Sequence, residues 1–240
     1  MNQSLSKRLV AEAVGTSLLL AAVVGSGIMG ERLAGGNVAI ALLANTIATG
    51  AALVALILAF APISGAHFNP VVTLTEAWQK GIAWRESPLY IAAQFAGAFV
   101  GVACANSMFG LPVFFASHHV RAGSAQIFSE LVATFGLLAV IWGCTRARAA
   151  AVPVAVAAYI TAAYWFTSST SFANPAVTLA RSMSDTFAGI RPIDVPGFIG
   201  AQLLGGFAAT ALFRWLTAPT PQKAGDVLAP NKKGEKGYGG

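Results

Sequence analysis

Long apolar stretches alternate with short polar ones along almost the whole chain. They fall near residues 8–29, 38–61, 88–109, 126–145, 152–167 and 196–217. A membrane-crossing helix needs about 20 mainly apolar residues, and five of the six stretches approach or exceed that; the fifth is shorter. Two further segments, 70–80 and 175–184, read as helices too short to cross. The pattern predicts an all-α membrane protein with six spans and two half-helices.

Composition strengthens this reading. The 240 residues are 56% hydrophobic and 10% charged, where a soluble protein carries about a quarter charged residues. So little polar material cannot cover a water-facing globule of this size, so lipid must solvate part of the surface. Lys7 and Arg8 precede a long apolar segment without a cleavage region, which argues against a signal peptide. Cys104 and Cys144 fall inside spans at a spacing that matches no metal motif or disulfide framework, and read as packing residues.

The net charge of +6 is distributed as a topology signal rather than as a nucleic-acid patch. With both ends inside, only Arg32, Arg121, Arg181 and Arg191 of the 15 Lys and Arg lie outside, as the positive-inside bias requires. Both termini are therefore expected on the cytoplasmic side. Residues 218–240, rich in Pro, Gly and Lys, are expected to be a disordered, solubilising tail.

The chain also repeats itself. Glu12 and Thr16 in AEAVGTSLLL answer Glu130 and Thr134 in SELVATFGLL. Gln94 in AAQFAGAFVG answers Gln202 in GAQLLGGFAA, and FNPVVTL at 68–74 answers ANPAVTL at 173–179. The order is kept while the offsets drift through 118, 108 and 105 residues. The repeats span about 8–109 and 126–217. Each half has three spans, an odd number, so the second must insert upside down. Such inverted repeats place broken helices and a binding site at the midplane.

Asn69-Pro70 and Asn174-Pro175 are the candidates for those breaks. Pro has a helical φ already set and no N–H to lose, so it suits a first turn, and Asn is a preferred N-cap. Irregular backbone at membrane depth survives only inside protein or along a watery cavity. Inversion aims both half-helix N-termini at the centre, each carrying about half a positive charge. Asn amides would donate to a passing oxygen, free carbonyls would accept, and a cation would be repelled.

These boxes, SGAHFNPVVTL and FANPAVTLAR, with ExxxT on spans one and four and Gln on spans three and six, resemble the aquaporin and aquaglyceroporin superfamily across residues 8–217. The resemblance implies a six-helix bundle with two re-entrant half-helices, a homotetramer in the lipid bilayer, small neutral solutes as partners, no cofactor, no metal and no enzymatic step. The pore boxes would be Asn69-Pro70-Val71 and Asn174-Pro175-Ala176, with Val71 where Ala is usual. Glu12 and Glu130 would anchor the pore loops, and the carbonyl of His67 would face solutes.

The resemblance also places a filter at Thr49, Ala162, Ser171 and Val177, counted from the two Asn residues. Val177 stands where nearly every member has Arg. Arg181 lies one turn further on a regular helix, about 6 Å along the axis, and cannot take that place. A filter without the Arg or an aromatic wall implies solutes wider than water: glycerol, urea or undissociated metalloid acids such as arsenous acid. It looks like that of bacterial arsenic-associated members, which implies the inner membrane. Tyr164-Trp165-Phe166 ends span five, either at the pore mouth or in packing. His118-His119 reads as a solvated outer pair. A secondary transporter would need titratable residues along its path. An intramembrane hydrolase would need a nucleophile and base. The only carboxylates expected inside the spans are Glu12 and Glu130.

Overall fold

The computed structural model describes residues 3–217, so the expected tail at 218–240 lies outside the described residues. The six spans are α1 (Leu5–Leu33), α2 (Val38–Ser64), α4 (Ser87–Met108), α5 (Ser124–Ala147), α6 (Val152–Phe166) and α8 (Val195–Leu216). Between them lie the half-helices α3 (Pro70–Trp78) and α7 (Pro175–Arg181). The short fifth span is completed by a 3₁₀ turn at Ala149–Ala151. All six spans are long and apolar enough to cross a membrane.

The distribution of side chains fits lipid rather than water outside. Leu18, Ile47, Leu58, Phe128 and Leu204 are exposed, whereas Glu12, Gln94, Glu130 and Gln202 are fully buried. Cys104 belongs to that outer face, contrary to its expected packing role, while Cys144 is partly buried; both thiols are free.

The repeat governs the packing. α1 pairs with α4, and α5 with α8, at close crossings where glycine is required. A Cβ at Gly97 would overlap the Ala13 carbonyl, and one at Gly205 would overlap that of Leu131. Small residues that let backbones approach are the usual basis of helix association in lipid. The half-helices wedge between α4 and α8, their N-termini meeting at the middle. α1, α2, α5 and α6 enclose the space on the other side.

The unusual Val71 is accommodated in the same way. It is fully buried, and a Cβ on Gly206 would overlap its Cγ1. Glycine on α8 thus supplies the volume that the larger residue takes up.

Candidate functional site

The two approaches to the half-helices, 65–69 and 170–174, share one strained conformation. Ala66, Phe68, Ser171 and Ala173 all have φ between 48° and 51°, in the left-handed region. For a residue with a side chain this costs roughly 1–2 kcal/mol. Two buried carboxylates hold it in place. Glu12 accepts hydrogen bonds from His67 N (3.0 Å), Phe68 N (2.7 Å), Ser64 Oγ (2.6 Å) and Gln94 Nε2 (2.9 Å). Glu130 accepts from Phe172 N and Ala173 N, both at 2.8 Å, and from Gln202 Nε2 at 2.6 Å.

Gln94 and Gln202 each also donate to the half-helix threonine, Thr73 at 2.9 Å and Thr178 at 2.8 Å. A trans peptide opposes its C=O to its N–H. With the amides of residues 67, 68, 172 and 173 drawn to the carboxylates, the carbonyls of Ala66, His67, Ser171 and Phe172 face the other way, toward the cavity these residues line.

Each Asn box does two jobs. The Asn69 side-chain oxygen caps α3 through Val71 N (2.9 Å), and that of Asn174 caps α7 through Ala176 N (3.0 Å). The amide nitrogens cross the pseudo-symmetry axis: Asn69 Nδ2 donates to the Ala173 carbonyl (2.8 Å) and Asn174 Nδ2 to that of Phe68 (2.7 Å). An amide has two N–H donors, so one on each Asn remains for whatever occupies the cavity.

That cavity is continuous, lined from Thr145 and Val152 at one end to Arg181 at the other, with a volume of about 170 Å³. A cavity needs about 10–15 Å³ to admit one water, so this one has room for several. Thr49, His67, Asn69, Ser171, Asn174 and Val177 line it.

The structure corrects two expectations about the filter, the Ala162 position and the missing aromatic wall, and adds two charged residues to the cavity lining. Ala162 is exposed on the outer face of α6 and does not line the cavity; Tyr164 does, its hydroxyl donating to Thr49 Oγ1 at 3.3 Å. With Phe172 also lining it, an aromatic wall is present. Arg181 does not take the place of Val177, yet one turn further along α7 it lines the same cavity. Its guanidinium lies 3.4 Å from the centroid of the Phe172 ring and Nε donates to the Ala188 carbonyl. Finally, Glu76 on the half-helix α3, outside the six spans, also lines the cavity. The available signal was that Glu76 and Arg181 each stand seven residues after a box Asn.

At the Arg181 end, the loop between α4 and α5 lies across the segment after α7. Phe115 N bonds the Met183 carbonyl (3.1 Å), Ser117 N that of Ser182 (2.9 Å), and Arg191 N that of His119 (2.8 Å). Buried Arg121 ties the two together by donating to the carbonyls of Gly189 (2.8 Å) and Ser169 (3.1 Å). The exposed His118 is not free: its backbone N–H and ring Nδ1 both meet Asp185, at 2.8 and 3.0 Å. Among the described residues, no three His, Cys, Asp or Glu side chains are grouped to hold a metal.

Comparison with known proteins gives a consistent picture. The family described as Major intrinsic protein matches residues 1–164 and 146–237. Aquaglyceroporin AqpS of Rhizobium meliloti (strain 1021) is 57% identical over 215 residues, covering 90% of this chain and 92% of that protein. Aquaporin NIP2-3 of Zea mays is 32% identical over 195 residues, covering 78% of this chain and 63% of its own length. The X-ray structure of the aquaglyceroporin from Plasmodium falciparum superimposes with a TM-score of 0.70 at 18% identity, over 90% of this chain and 98% of that one, a likeness of fold.

Proposed function

The chain belongs to the major intrinsic protein family, whose aquaglyceroporins are channels and not enzymes, and from that premise we propose that it is a passive channel for small uncharged polar solutes of the glycerol class. The observation that carries this reading is the continuous cavity passing both Asn boxes, each with a spare donor, beside two runs of freed carbonyls. A polyol presents hydroxyls along one side and C–H groups along the other. The first would exchange hydrogen bonds with Asn69, Asn174, Ser171 and the carbonyls, and the second would slide along Tyr164 and Phe172.

We further propose Thr49, Tyr164, Ser171 and Val177 as the constriction, with Tyr164 replacing Ala162 in the set. Val177 leaves room there for solutes wider than water, urea and undissociated metalloid acids such as arsenous acid included. The charge distribution supports both termini on the cytoplasmic side, which makes the Arg181 end the outer mouth. Four such units would form a homotetramer, each with its own pore, in the inner membrane of a bacterium.

Reconstituted vesicles test the proposal. Under an inward glycerol gradient, vesicles holding the protein should shrink and then reswell faster than empty ones. Val177→Arg should slow glycerol relative to water, because the long side chain fills the constriction. Reswelling no faster than in empty vesicles would refute the channel, and an unchanged glycerol-to-water ratio in Val177→Arg would refute the constriction.

A further inference from the structure

Resting on the channel reading above, a second property of the pore follows from its charges. A pore that lacks Arg at 177 and admits wide solutes still has to stop ions. Its centre carries the spare donors of Asn69 and Asn174, which favour anions over cations. Arg181 adds a full positive charge at one end. Arg181 is 2% exposed, and beyond Nε its guanidinium has no hydrogen-bond or ion-pair partner among the described residues. Such a lumen, taken alone, has the electrostatics of an anion pore.

The opposite end supplies the missing sign. Glu76 lines the cavity at the far end of α3, and its carboxylate likewise has no hydrogen-bond or salt-bridge partner among the described residues. The chain makes room for it: a Cβ at Gly81 would overlap Oε2 of Glu76. Among the described residues that line the cavity, Glu76 and Arg181 are the one carboxylate and the one guanidinium. They occupy the same position of the inverted repeat, seven residues past Asn69 and Asn174, so inversion sends them to opposite ends.

We propose that Glu76 and Arg181 form a bipolar ion barrier, Arg181 turning back cations and Glu76 turning back anions, so that a wide pore stays closed to both. Arg121 takes no direct part. Its nitrogens are committed to loop carbonyls and it does not line the cavity.

The test uses the full chain in vesicles, with chloride, potassium and glycerol permeability read on the same preparation. Glu76→Gln should raise the chloride-to-glycerol ratio about tenfold or more, equivalent to about 1.4 kcal/mol of barrier, without raising the potassium ratio. Arg181→Met should do the reverse. Glu76→Asp and Arg181→Lys, which keep the charge, should stay near the parent ratios.

Ion ratios unchanged in Glu76→Gln vesicles that pass glycerol would overturn the barrier, as would equal rises for both ions in either variant. If Arg181→Met does not fold, the Glu76 arm decides alone, because chloride leak without potassium leak is its signature. Failure of the channel reading itself would be seen separately, as absent glycerol flux in the parent.

Discussion

Glu130→Gln removes one negative charge from the centre of the second pore loop while keeping the shape of the side chain. In the parent, three donors converge on that carboxylate: Phe172 N, Ala173 N and Gln202 Nε2. The best placement of the amide keeps its oxygen on Ala173 N and Gln202 Nε2 and turns an NH₂ against Phe172 N. Hydrogen bonds to a charged group contribute about 1.5–3 kcal/mol, and a buried donor left unpaired costs about 1–3 kcal/mol. Two weakened bonds and one orphaned N–H together come to roughly 3–6 kcal/mol.

The same bonds hold Ser171 and Ala173 at positive φ, so part of the loss is avoided only if the loop relaxes and its carbonyls leave the pore. A single domain has about 5–15 kcal/mol in all. The expected outcome is a melting temperature in detergent lower by roughly 10 °C or more, together with loss of most glycerol flux in vesicles. Glu12→Gln should be at least as severe, since four donors meet there. A Glu130→Gln protein that melts within about 2 °C of the parent and passes glycerol at the parent rate would refute the anchoring argument.

Two further outcomes follow from particular contacts. Gly206→Ala should destabilise by about 1–3 kcal/mol through overlap with Val71, and Val71→Ala by about 1–2 kcal/mol through the cavity it leaves. The double variant should recover most of both, so a thermal-denaturation cycle giving no coupling would show that the two residues do not share one volume. At the loop face, hydrogen bonds first from His118 N and then from its ring hold the Asp185 carboxyl below its usual range. A depressed acid contributes stability that is complete above its unfolded value of about 3.9 and is lost as pH falls through the lower folded value. Protection of residues 111–119 from hydrogen exchange should therefore fall in the parent below about pH 4. In Asp185→Asn it should be low already at neutral pH, and equal protection in the two proteins at pH 7 would remove Asp185 from the clamp.

The sites that were legible and those that were not differ in how far each depends on rotation about a helix axis. The Asn boxes announce themselves because capping is local chemistry: Asn followed by Pro can start a helix wherever it stands. Glu12 and Glu130 stand out because a carboxylate in an apolar span must find partners, and the family resemblance names the pore loops as those partners. Ala162 was misplaced because counting back from Asn174 presumes how the intervening loop turns. Two residues on a helix are about 200° apart, enough to exchange the lipid face for the lumen, and Tyr164 stands two residues on.

That Glu76 and Arg181 line the cavity is not legible in the sequence for a related reason. Each lies beyond the box itself, on a half-helix whose depth and tilt no local rule supplies. Whether the far end of such a helix lines a lumen or packs against a neighbour depends on what encloses it.

The membrane class, the six spans, the inverted repeat and the two helix starts at its centre can be read from the amino-acid order. All of these follow from hydrophobicity, length and capping, which act within one segment. Which residues line the cavity came from the packing alone: that Tyr164 and not Ala162 lines it, that Gly206 admits Val71, and that Glu76 and Arg181 stand at its opposite ends. Those facts depend on how the helices rotate and cross, and close packing against neighbours sets that rotation.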